Sequence, residues 1–271
     1  MEGQPQIKSR IWHFPGAEKA FFTETEYSAH RFQPHFHGHY VFFSVLNGVN
    51  EGGFTRKRYT ITSRDFLVIH PGEIHTGNSF SGRRLTYFSF CPTREFLIKK
   101  AEELGLPALP SFNGVVYSAK SIIPKFEALV KNSVVPGNDL AAEQSLTEFL
   151  GVLAEQTQDS RPVSKTENSC REKIETAKKF IEENYSRNFS LSELSLHTGL
   201  SAFHLLRSFK ASVGLTPYAY LHNFRIEMAK KKIHKKISLT HLAHDSGFYD
   251  QSHFIRHFKK INGISPSAFK Q

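Results

Sequence analysis

The chain has few of the residues that staple or anchor a fold. Its 271 residues include two cysteines, two methionines and one tryptophan. Cys91 and Cys170 stand far apart, and neither is surrounded by metal-ligand spacing. That excludes a disulfide framework and suits a reducing compartment. No apolar run approaches the ~18 residues of a spanning helix, which excludes a membrane partner of that kind. The first residues lack a basic, apolar and small-residue leader pattern, so the expectation is an untargeted cytoplasmic protein. The length suffices for one large or two ordinary domains.

Charge is present and unevenly placed. The formal net charge is +10. Residues 171–271 hold 17 Lys/Arg against 8 Asp/Glu, whereas residues 1–170 hold 18 against 17. The basic excess therefore belongs to the C-terminal segment, and a polyanion is its natural partner.

That segment also contains an internal repeat. LSELSLHTGLSAFHLLRSFKASVGLTPYAYL and LTHLAHDSGFYDQSHFIRHFKKINGISPSAFK lie 48 to 49 residues apart. Each reads as a short amphipathic helix, a glycine turn, a second helix and a turn with Thr–Pro or Ser–Pro. Ser190 with Glu193 three residues on is a capping box. Ser201, Ser238 and Asp250 are further N-caps, and Gly199 and Gly247 turn the chain. Leu191, Leu194, Leu200, Leu205 and Phe209 correspond to Leu239, Leu242, Phe248, Phe254 and Phe258. Thr216 caps and Pro217 starts a long helix between the copies, reaching about Ile233. At about 1.5 Å per residue it spans roughly 25 Å, a sensible spacer between two heads that read major-groove segments ~34 Å apart.

The tandem pair resembles the AraC/XylS family of bacterial transcription regulators. The second copy carries that family's signature in Ile237, Leu242, Ala243, Gly247, Phe248, Gln251, Ser252, Phe254, Arg256, Phe258, Lys259, Gly263, Ser265 and Pro266. On that resemblance Phe203, Leu206 and Arg207 of the first copy fall where side chains meet the major groove. Leu206 departs from the usual polar residue there and suits a thymine methyl. In the second copy Gln251, Ser252, His253, Ile255 and Arg256 surround the core residues Phe254 and Phe258. Gln251 suits adenine, Arg256 guanine or phosphate, and Ser252 the backbone. Lys210 and Lys259 suit phosphates, and the clusters Lys230–Lys232 and Lys235–Lys236 add general attraction. Arg207 and Arg256 have an alternative reading as intradomain salt-bridge residues.

Residues 30–90 read as β structure. Val41–Leu46 is a solid apolar run, followed by Asn47–Gly48. Phe54, Tyr59 and Ile61 form a patchy hairpin with Arg56–Lys57–Arg58 at its tip. Phe66–Ile69 leads into Pro71–Gly72, and Leu85–Phe90 closes the segment. Many short strands with Gly and Pro turns argue for a small sandwich or jelly-roll barrel. PHFHGHYVF and PGEIH resemble segments of the family's cupin-like effector domain. In one extended strand His35, His37 and His39 share a face, and His75 can approach from another strand. These four are candidate metal ligands by type. The glutamate that follows the His–x–His pair in metal-binding cupins is missing, with Val41 and Phe42 standing there instead. No metal or cofactor is therefore expected. The resemblance implies instead a small-molecule effector lined by His37, His39, Tyr40, Phe54, His75 and Tyr87.

Ile122, Phe126, Leu129 and Val130 form one helical apolar stripe. Leu140, Leu146, Phe149, Leu150 and Leu153 form a second. They resemble the family's dimerisation helices, and packing against the β domain is the alternative. The expected fold is two-domain α+β: a cupin-like barrel with appended helices over 1–160, a linker over 161–170 and an all-α domain with two helix-turn-helix motifs over 171–271. The function expected is a double-stranded-DNA-binding regulator that acts as a homodimer under effector control. RNA polymerase is a further partner if it activates. A cupin-type metalloenzyme with an accessory DNA-binding domain and an effector-independent dimeric DNA-binding protein are the alternatives.

Overall fold

The computed structural model describes residues 7–55, 57–105, 116–118, 120–156, 169–233 and 236–270. Its first part contains ten strands: β1 (Ile7–Phe14), β2 (Ala17–Tyr27), β3 (Arg31–His35), β4 (Val41–Asn47), β5 (Asn50–Phe54), β6 (Arg58–Ile61), β7 (Asp65–Ile69), β8 (His75–Ser79), β9 (Leu85–Pro92) and β10 (Val116–Ser118). One sheet runs β1-β2-β9-β4-β7-β10 and the other β3-β8-β5-β6. Arg56 and Lys235 lie outside the described residues.

The apolar run at β4 follows from burial on both faces. Phe22, Phe42, Phe66 and Phe90 point to one side of the six-stranded sheet and join a core with Phe126, Leu146 and Phe149. These last three lie on α2 (Ile122–Ser133) and α3 (Asp139–Gln156). Alternate residues Tyr27, Val41, Phe43, Leu67, Ile69, Tyr87 and Cys91 point to the other side, into a second core. A strand apolar on both faces reads as a continuous hydrophobic run.

Here the expectation of a cupin-like barrel fails. Among the described residues the strands form two separate sheets with no ladder joining them into a closed barrel. The six-stranded sheet packs helices on one face and the smaller sheet's side of the cavity on the other. Both faces are covered without circular closure. The domain is a mixed α+β unit. Its helical stripes serve this packing: Ile122, Phe126, Leu129, Leu146, Phe149, Leu150 and Leu153 are buried, whereas Leu140 is 85% exposed. A further helix absent from the sequence reading, α1 (Arg94–Glu103), is capped by Thr93, whose side chain accepts from Phe96 N–H.

The second part is all helical: α4 (Ser169–Glu183), α5 (Leu191–Thr198), α6 (Ala202–Val213), α7 (Pro217–Lys232), α8 (Leu239–Asp245), α9 (Gln251–Asn262) and α10 (Pro266–Phe269). The linker expected at 161–170 falls outside the described residues up to position 168, and Ser169 and Cys170 already belong to α4. Side chains of Ser190, Ser201, Thr216 and Asp250 accept N-capping bonds from Glu193, His204, Ala219 and His253. Ser238 occupies its N-cap position without such a bond. Each helix-turn-helix unit owns a core, and α7 contributes to both: Tyr220 and Leu221 to the first, Ile226 and Ala229 to the second. Gly247 sits at φ +80°, and a Cβ there would lie 2.7 Å from the Tyr185 carbonyl oxygen, so glycine is required twice over.

The two parts pack against each other. Phe36 and Ile74, from the β domain, are buried in the core of the first helix-turn-helix unit. The Phe36 ring lies 5.0 Å from that of Tyr220. Gly214, which ends α6 at φ +89°, approaches Thr55 so closely that a Cβ would meet its Oγ1 at 2.9 Å.

Candidate ligand cavity and DNA interface

The strand carrying His35 stops there, and residues 36–40 leave the sheet as a loop. The expectation of one extended strand through His39 is therefore corrected. The loop is held from the other domain. Phe36 N–H donates to Asn223 Oδ1 at 2.8 Å and Gly38 N–H to Glu227 Oε2 at 2.7 Å, both acceptors on α7. This anchoring turns His35, His37 and His39 toward one cavity despite the break in the strand.

The cavity, of about 140 Å³, lies between the inner face of the six-stranded sheet and the smaller sheet. It is similar in size to an engineered apolar cavity of about 150 Å³ that accepts benzene, so a compact ligand fits. His37, His39, His75 and Tyr87 line it, with His35, Phe21, Thr25, Tyr27 and Phe43. Tyr40 lies elsewhere: it belongs to the core on the sheet's opposite side, 6.0 Å from Phe42 ring to ring. Phe54 lines a neighbouring groove with Lys57, Arg58 and Lys210.

One wall comes from the helical domain. Lys230 of α7, Ile261 and Asn262 of α9, Ile264, and Phe269 of α10 all line the same cavity. Phe269 packs edge-on against Phe21 at 6.0 Å. Lys230, expected in a basic cluster facing solvent, instead has a side chain only 8% exposed that pairs with Glu227 at 2.9 Å. Lys230 and Phe269 escape a local reading as cavity residues, and Glu227 as the acceptor that holds the 36–40 loop, because only long-range docking brings them there. Phe21, Thr25 and Tyr27 had a local signal, the odd-numbered alternation of β2.

Electrostatics in the cavity follow from burial. Desolvation holds the His35 and His39 imidazoles well below their ordinary range, and neighbouring His75, His37 and Lys230 add to the effect. Burial and His37 push His75 down to about 3. All are neutral at neutral pH. Burial would raise the Glu227 carboxyl, but the Lys230 ammonium and His37 outweigh it and hold that carboxyl well below its ordinary range. Burial drives Tyr87 and Cys91 up to about 12, so neither ionises near neutrality.

On the helical domain, Phe203 is 70% exposed and Leu206 38%, with Arg207 and Lys210 also exposed along α6. Leu205 and Phe209 turn inward. On α9, Ser252, Arg256 and Lys259 are exposed, and Gln251, His253 and Ile255 are intermediate. Gln251 Oε1 accepts from Thr240 Oγ1 at 2.7 Å. Ile255 leans on the second core. Neither Arg207 nor Arg256 makes an ion pair among the described residues, which leaves both guanidinium groups available.

Two capped helix-turn-helix units behind a cavity-bearing β domain define a DNA-binding regulator with a ligand-binding domain. Comparison with known proteins agrees. Residues 20–150 match the AraC-like ligand binding domain and residues 194–271 a helix-turn-helix domain. The HTH-type transcriptional regulator YbfI of Bacillus subtilis (strain 168) is 29% identical over 82% of this chain and 81% of its own. An HTH-type transcriptional regulator from the cgkA 5′ region of Pseudoalteromonas carrageenovora is 32% identical over 44% of this chain and 72% of its own. The HTH-type transcriptional activator RhaS of Pectobacterium carotovorum is 23% identical over 88% of both chains. Among solved structures, apo ToxT K231A of Vibrio cholerae superposes with a TM-score of 0.56 at 14% identity, covering 99% of this chain and 98% of that one. The chain belongs to the AraC/XylS family of transcription regulators. Its relatives are regulators rather than enzymes. No helix among the described residues is long and apolar enough to cross a membrane.

Proposed function

We propose that this chain is an activator that reads two successive major-groove segments of double-stranded DNA and responds to a compact effector in the β-domain cavity. The observation that carries the reading is the shared wall: Lys230, Ile261 and Phe269 of the DNA-binding domain line the same cavity as His37, His39, His75 and Tyr87. A ligand there would touch both domains, so its binding energy would act directly on how the reading heads are held.

Arg207, Leu206 and Phe203 would serve the first segment, and Gln251, His253, Ile255 and Arg256 the second. Lys210, Ser252 and Lys259 would hold phosphates. At ~1.5 Å per residue, α7 keeps the heads about 24 Å apart along its axis, so some bending of the duplex is expected. Activation is supported by the kinship with RhaS and implies contact with RNA polymerase. A homodimer in the cytoplasm, with domains divided near 160 and 171, completes the proposal.

Selection of the purified protein against a randomised duplex library tests it. Enrichment of paired half-sites about one helical turn apart is the expected result. Retention of DNA without sequence enrichment would overturn it.

A further inference from the structure

Three imidazoles meet inside the cavity. His35, His37 and His75 each offer a ring nitrogen, and these nitrogens lie within 4.8 Å of one another. Ring centroids are 4.3 Å apart for His35 and His75, 4.8 Å for His35 and His37, and 5.1 Å for His37 and His75. Three imidazoles bound at ~2.0–2.1 Å around a tetrahedral ion have centroids roughly 5 Å apart. The planes cross at 52°, 74° and 54°, so the rings converge without stacking.

The tautomers are fixed in the sense that metal binding needs. His35 Nδ1 donates to the Gln33 carbonyl at 2.7 Å, and His75 Nδ1 to the Glu73 carbonyl at 2.9 Å. Each neutral ring therefore carries its lone pair on Nε2. Backbone carbonyls at the other ring nitrogen are the usual outer support of a metal-ligating histidine. His37 differs. Its Nδ1 is buried without a hydrogen-bond partner and faces Glu227 Oε1 at 3.8 Å, too long for a bond. A small movement would make that contact, and the carboxylate belongs to the DNA-binding domain.

From this geometry we infer that His35, His37 and His75 bind a divalent transition-metal ion of the zinc type through imidazole nitrogen, with a fourth position open to water or a small ligand. Glu227 is the positioning residue: on metal binding its Oε1, now 3.8 Å away, would accept a hydrogen bond from His37 Nδ1–H and so transmit occupancy to α7. The inference rests on the effector reading of the cavity and names its ligand class. Imidazole nitrogen suits zinc, copper and nickel ions and disfavours magnesium and calcium.

A second histidine cluster provides the control. His222, His253 and His257 also gather, between α7 and α9. There the His222 and His257 rings stack at 18°, and the Arg225 guanidinium bears on both rings. The stacked pair does not converge on a common ion as the first cluster does.

The test is titration of chelator-treated full-length protein with Co(II) and Zn(II). Tetrahedral Co(II) absorption and calorimetry are the readouts, with far-UV circular dichroism and melting confirming that each variant is folded. One ion per chain is expected for the wild type, none for His35→Asn/His75→Asn, and one for His253→Asn/His257→Asn. Glu227→Gln should bind about 10- to 100-fold more weakly. Binding that survives the first double variant, is lost in the second, or never appears in the folded wild type overturns the inference. The effector reading fails separately. If no metal binds but a metabolite library raises the wild-type melting temperature and not that of Tyr87→Ala, the metal assignment falls and the effector cavity stands. If neither a metal nor a metabolite shifts the protein, both fall.

Discussion

Glu227 of α7 accepts a hydrogen bond from the backbone N–H of Gly38 at 2.7 Å, across the boundary between the β domain and the DNA-binding domain. The same carboxylate pairs with Lys230, and both side chains are more than nine-tenths buried. A buried pair of this kind adds little stability as a whole, but removing one member leaves an uncompensated charge. Glu227→Ala should therefore cost about 3–5 kcal/mol. Denaturant unfolding checks the loss, and proteolysis between the domains should become faster. An unchanged midpoint would mean that Lys230 finds water instead.

The apolar side of the same junction makes a separate prediction. Phe36 is 5% exposed and packs on Tyr220. Phe36→Ala should destabilise by about 3–5 kcal/mol, typical of a truncated buried aromatic. Because the contact joins two cores, the melting transition should split into two. A single transition at the wild-type temperature would show that Phe36 is not part of the junction.

Acid should loosen the second reading head. Burial, with His257 and Arg225 beside it, lowers His222 to about 3. Burial and His253, Lys260, Arg256 and Arg225 lower His257 to about 4. The unfolded chain binds these protons at about 6.5 and the folded chain far lower, so unfolding takes up protons in between. Stability from these rings is fully present above about pH 6.5 and declines as pH falls toward 4. Unfolding midpoints of wild type and His222→Phe/His257→Phe at pH 7 and pH 5 check this. The wild type should lose more stability than the variant over that interval.

Phosphate contacts should register as salt dependence. Lys210→Ala or Lys259→Ala should weaken binding to selected and unrelated duplexes alike, and lower the slope of log affinity against log salt by about 1. Operator titrations at several salt concentrations measure it. A loss confined to one sequence would move that lysine to a base edge.

The helical domain was legible because its determinants are local. Ser190, Ser201, Thr216 and Asp250 cap within three residues of themselves, and Leu205, Phe209, Phe254 and Phe258 mark inward faces by helical spacing. The β domain was less so. Its strand β8 reads His-Thr-Gly-Asn-Ser and lacks apolar alternation, and it is a strand because β3 and β5 pair on either side of it. The barrel expectation extended a local resemblance to a global closure that short-range sequence does not encode. The third wall of the cavity was hidden for the same reason. Lys230 stands in a run of three lysines that looks solvated, and only docking of α7 against residues 36–40 buries it.

Two separate heads, one on α6 and one on α9, should read the operator. Repeating the library selection with Arg207→Ala and Arg256→Ala tests it most directly. Each variant should relax base preference within one half-site only, by about 1–3 kcal/mol per lost contact, and the two half-sites should differ. Relaxation of the same positions by both variants, or of none, would contradict the claim.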